Sequence, residues 1–83
     1  MNIVFKFSTV NKINLIFNKG ATIDEILKTF LKRIDKSELI NSKDKIVFLL
    51  NADELKFGDK TKIENLKVIG TPIIIVYNTK NLI

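Results

Sequence analysis

Apolar residues alternate with polar ones from the first residues of the chain. Ile3, Phe5 and Phe7 share one side of an extended segment, and Asn2, Val4 and Lys6 share the other. This period-two pattern is that of a half-buried strand. Ile13, Leu15 and Phe17 repeat it opposite Lys12, Asn14, Ile16 and Asn18, and the link Ser8-Thr9-Val10-Asn11 is short enough for a hairpin loop. Gly20 ends the alternation. Thr22-Ile23-Asp24-Glu25 then reads as a capping box, in which the Thr22 oxygen accepts from a first-turn N–H and Glu25 reaches back to the cap. The apolar residues that follow, Ile23, Ile26, Leu27, Phe30, Leu31 and Ile34, form one broad helical stripe. Asp24 and Glu25 at its start and Lys32 and Arg33 at its end complement the helix macrodipole.

The second half of the chain is read by its breaks. Residues 36–45 are polar apart from Leu39 and Ile40 and predict a loop or single turn under the helix end. Residues 45–50 predict a strand, Asn51-Ala52-Asp53 a turn, and Glu54 to Phe57 a short strand stopped by Gly58. Ile63 and Leu66 are spaced like one helical turn within an otherwise irregular segment. Pro72 can open a strand but not sit inside a central one, so the last strand is 73–78. A lone helix between two groups of strands buries its stripe against one face of a sheet, which makes the class α+β.

Eighty-three residues leave room for one core, and residues 1–83 are expected to form one domain. The chain has no cysteine and no histidine, so thiol chemistry, disulfides and the commonest general base are excluded. No catalytic machinery, cofactor or metal is expected. The adjacent carboxylates Asp24/Glu25 and Asp53/Glu54 make no acid/base pair, since the first serves the helix start and neighbours on a strand or turn point apart. The longest apolar runs are Ile46 to Leu50 and Ile73 to Tyr77, far below the roughly 20 residues of a membrane helix. A soluble, cytoplasmic or nuclear monomer is the expectation. Fourteen basic residues against nine acidic give a charge of +5, which favours polyanions in principle. That charge is nearly all lysine, which accompanies abundant asparagine and isoleucine, as an AT-rich coding sequence produces.

Several segments resemble ubiquitin-like domains. Met1 to Lys6 looks like the family's first strand, and Ile13, Leu15 and Phe17 follow in its second. Thr22-Ile23-Asp24-Glu25-Ile26 is similar to its helix opening, Lys45 to Phe48 to its third strand, and Leu55 to Leu66 to its leucine, glycine turn and one-turn helix. The resemblance covers residues 1–78. It implies a β-grasp fold, a mixed sheet of four to five strands in the order 2-1-5-3-4 with one helix across one face. Two loops, after the helix and before Leu55, are longer than in ubiquitin itself. The end, Asn78 to Ile83, lacks the Gly-Gly that activation of a modifier requires, so the resemblance is to non-conjugated domains embedded in longer proteins. A modifier precursor or sulfur carrier with its glycines beyond Ile83 is the alternative.

The resemblance also implies an interaction surface, the sheet face that the helix leaves open. With Ile46, Ile73 and Ile75 assigned to the core, alternation sends Val47, Ile74 and Val76 outward. Val47 and Val76 then fall where the family carries a receptor-binding apolar patch, and Ile74 replaces a more polar member. Leu49 extends the patch, Ser8 or Thr9 stands at its hairpin position, and Lys6 and Lys45 form a basic rim. The expected partner is a protein of the ubiquitin-receptor kind, not a small molecule or a membrane. The competing reading is that β-branched residues merely suit strands. Ile16 stands apart as a single exposed apolar residue. Nucleic acid is the weaker partner class, because the six phenylalanines fall mostly on core positions and acidic residues are interleaved among the lysines.

Overall fold

The computed structural model describes residues 1–8, 10–41, 46–66 and 68–78 of the chain. Strands β1 (Asn2–Lys6) and β2 (Lys12–Ile16) form the opening hairpin, in the register Asn2↔Ile16 to Lys6↔Lys12. Its link is turned by Ser8, whose Oγ accepts from the backbone N–H groups of Val10 (3.3 Å) and Asn11 (2.8 Å). Helix α1 (Ile23–Arg33) follows, then a 3-10 turn over Ser37–Asn41, β3 (Ile46–Leu50), β4 (Asp53–Leu55), a second 3-10 turn over Ile63–Asn65, and β5 (Ile73–Asn78). The sheet order is β2-β1-β5-β3-β4, with β1 and β5 parallel and the other pairs antiparallel. This is the α+β class that the pattern of strands and lone helix predicts, in the order that the resemblance implies, with five strands among the described residues.

Local chemistry fixes both ends of α1. At the start, the Thr22 side chain accepts from the Glu25 N–H at 3.2 Å while Glu25 Oε1 accepts from the Thr22 N–H at 3.4 Å, a reciprocal capping box. At the end, Asp35 adopts a left-handed φ of 60°, the Asp35 N–H reaches the Lys32 carbonyl (3.1 Å), and the Lys36 N–H reaches that of Leu31 (2.8 Å). That is a Schellman closure with aspartate in the position glycine usually takes. Leu39 of the following 3-10 turn is buried.

The helical stripe packs on one face of the sheet, and Ile23, Ile26, Leu27, Phe30 and Leu31 are all within 1% of fully buried. All six phenylalanines join ring to ring. Phe30 stacks on Phe5 at 4.5 Å and meets Phe7 and Phe48 edge-on, Phe48 meets Phe57, and Phe5 meets Phe17. Helix and sheet are thereby tied through aromatic contacts worth about 0.5–1.5 kcal/mol each beyond the area they bury.

One boundary differs from the expected one. β4 runs over Asp53–Leu55 rather than 54–57, because the turn before it contains two residues, Asn51 (φ 52°) and Ala52 (φ 71°). Two consecutive positive φ values define the tight hairpin turn whose twist matches its strands, and Asp53 therefore already lies opposite Leu50. Among the described residues, no helix is long and apolar enough to cross a membrane.

Candidate partner-binding face

The strand registers decide what the uncovered face of the sheet presents. Residues opposite one another in a ladder point to the same side. Ile74 lies opposite Phe5 and Leu50, and Val76 opposite Phe48. Phe5, Phe48 and Leu50 all belong to the core, so Ile74 (0% exposed) and Val76 (4%) belong to it too. Their expected outward placement is therefore reversed: the register sets β5 one residue out of the assumed phase. The run Ile73 to Tyr77 has no polar residue to mark the outer side, so alternation within the strand could not fix its phase.

In their place β5 turns outward Ile73 (51% exposed), Ile75 (41%) and Tyr77 (54%). Val47 and Leu49 do lie on this face, half-buried, opposite Tyr77 and Ile75. Val4 joins them opposite Ile73, and Lys6 is exposed opposite Ile75. Lys45 lies outside the described residues, as does Thr9. The hairpin supplies another apolar side chain, Val10, which is 84% exposed. Its signal in the sequence was a lone valine in a polar link. Ile16, 81% exposed, stands opposite Asn2 at the sheet edge.

One transverse row summarises the face. Lys12, Lys6, Ile75, Leu49 and Glu54 are successive cross-strand neighbours from β2 to β4. With strands about 4.8 Å apart, the row places two lysines at one side, apolar residues in the centre and a carboxylate at the far edge, about 19 Å away. The flanking rows are Asn14–Val4–Ile73 and Tyr77–Val47. The centre is thus a continuous apolar surface with one aromatic hydroxyl.

A buried, charged cluster lies elsewhere, at the start of α1. Asp24 is 3% exposed; its Oδ1 accepts from the Gly58 N–H at 2.6 Å and its Oδ2 contacts Lys28 Nζ (3.0 Å) and Lys60 Nζ (3.2 Å). The Gly58 hydrogen bond, aided by the two ammonium groups and opposed by burial, lowers the carboxyl pKa from 3.8 to about 2. Gly58 presents its N–H from a φ of +87°, a conformation glycine adopts without strain. The backbone bonds Ile23 N–Thr61 O and Ile63 N–Ala21 O (both 2.9 Å) fasten the same segment to the helix start. This is a structural clamp. Among the described residues, no group of three or more His, Cys, Asp or Glu residues could hold a metal ion.

No family model matches the chain, and no curated protein matches its sequence. Solved structures do match in shape. A computationally designed protein based on the template of human erythrocytic ubiquitin superimposes with a TM-score of 0.67 at 14% identity, covering 95% of this chain and 91% of that one. A ubiquitin-like protein from the hyperthermophilic archaeon Caldiarchaeum subterraneum gives 0.58 at 14% identity, covering 94% and 95%. Together with the strand order and the helix on one face, these likenesses establish that the chain has the ubiquitin-like β-grasp fold.

Proposed function

We propose that this domain is a protein–protein interaction module that meets its partner with the open face of its sheet. The observation that carries the reading is the contiguous apolar surface of Val4, Val47, Leu49, Ile73, Ile75 and Tyr77, which no described part of the chain covers. A domain of this size needs its apolar side chains in the core, and an exposed apolar cluster favours aggregation unless a partner buries it. Burial would gain roughly 25 cal/mol per Å² of apolar area. Tyr77 adds an aromatic anchor with a polar tip, the kind of side chain enriched at such contacts.

The test compares the immobilised wild-type chain with Ile75→Asp and, as a control on the same sheet, Ile16→Asp. Proteins retained from lysate are quantified by mass spectrometry. Binding through the open face predicts a set of proteins held by wild type and Ile16→Asp and reduced by at least about tenfold with Ile75→Asp, a loss of about 1.4 kcal/mol in affinity. Retention of the same set by all three chains would refute it.

A further inference from the structure

Among the described residues, no carboxylate forms an ion pair with the two lysines at one end of the face. Lys6 and Lys12 lie directly opposite one another on an antiparallel pair, and both are exposed. Like charges so placed destabilise the pair. The ion pairs among the described residues all involve Asp24, with Lys28 and Lys60. Among the described residues, the only acidic strand residue on the outer face is Glu54, three strand spacings from Lys6, or about 14 Å. Beside the lysines runs a groove of about 520 Å³, lined on its apolar side by Val4, Val10 and Ile73. The row Val4–Ile73 and the row Lys6–Lys12 are two residues apart along β1, hence about 6.8 Å apart.

Resting on the proposed function above, we infer that this groove takes a segment of the partner protein in which an apolar side chain is followed, two residues along an extended chain, by an aspartate or glutamate. The apolar side chain covers Val4 and Ile73, and the carboxylate sits between the ammonium groups of Lys6 and Lys12. Two residues of extended partner chain span the distance that separates the two rows. A second copy of this chain is a poor occupant, because it too carries +5 and net repulsion opposes its approach. A nucleic acid would find no ring in the groove lining on which to stack a base.

The experiment is selection from a random dodecapeptide display library on the immobilised chain, repeated on the double variant Lys6→Glu/Lys12→Glu and on Ile75→Asp, each first checked for a wild-type circular dichroism spectrum. Wild type is expected to enrich the pattern apolar-x-acidic, and synthetic winners should bind at least about tenfold more weakly when the acid is replaced by its amide. The double variant should reject those winners and select basic ones. Amide shifts of the labelled chain should concentrate on Val4, Lys6, Lys12 and Ile73. Enrichment of apolar peptides without acids, held equally by the double variant but lost by Ile75→Asp, would overturn this inference and leave the proposed function standing. Acidic winners with no apolar residue, displaced fully by heparin, would overturn it in favour of a polyanion site. Selection of nothing above background would count against both.

Discussion

Replacing Ile74 and Ile75 by aspartate, one at a time, separates the two sides of β5. Ile74 is completely buried against the ladder partners Phe5 and Leu50. Truncating a buried isoleucine costs about 2–5 kcal/mol, and placing a carboxyl in the vacated space without a hydrogen-bonding partner adds about 2 kcal/mol or more. A chain of 83 residues has a total stability of about 4–12 kcal/mol at ~0.05–0.15 kcal/mol per residue, so Ile74→Asp should unfold it or nearly so. Ile75 is 41% exposed and lies opposite Lys6, which offers the new carboxylate a counter-charge. Its replacement should cost about 1–2 kcal/mol, from lost strand preference and partial burial, or roughly 4–16 °C in Tm. Thermal melts followed by far-ultraviolet circular dichroism, with one two-dimensional amide spectrum per variant, read both outcomes. A folded Ile74→Asp within a few degrees of wild type, or an unfolded Ile75→Asp, would refute the assignment of faces.

Three further predictions concern the supports of the fold. Because the folded pKa of Asp24 is depressed to about 2 from 3.8, its contribution is present above about pH 4 and lost as pH falls toward 2; the difference amounts to about 2 kcal/mol. Urea titrations of wild type and Asp24→Asn should therefore differ by about that much at pH 6 and converge near pH 2, and a gap independent of pH would contradict the clamp. Thr22→Ala removes the capping oxygen and should lower stability by about 1 kcal/mol, read as a lower urea midpoint at unchanged slope. Ala52→Gly should raise Tm, since Ala52 sits at φ 71° where a side chain costs roughly 1 kcal/mol; a lower Tm would count against that turn geometry.

The fold was legible where the local pattern leaves no choice. The capping box, the stripe from Ile23 to Leu31 and the alternation of Ile3 and Phe5 each name their own inward side, and the structure buries those residues. β3 was legible too, with Val47 and Leu49 turned outward. The candidate site failed at β5, where five consecutive apolar residues carry no phase of their own. Its phase comes from non-local pairing: Ile74 must face as Phe5 and Leu50 face. Lys12 and Val10 carry no such mark in the sequence, because only the hairpin register sets one beside Lys6 and only the turn projects the other. The Asp24–Gly58 bond joins residues 34 positions apart, a separation over which sequence pattern carries no signal.

The most direct test of the open face as a binding surface is site-specific photo-crosslinking in cells. Benzoylphenylalanine placed at position 77 samples the exposed Tyr77 site, and at position 32 it samples the solvent side of α1, where Lys32 is exposed. Binding through the open face predicts discrete crosslinked products from position 77 that disappear when Ile75→Asp is introduced into the same chain, and none of these from position 32. Equal products from both positions, or products from position 77 that persist with Ile75→Asp, would contradict it.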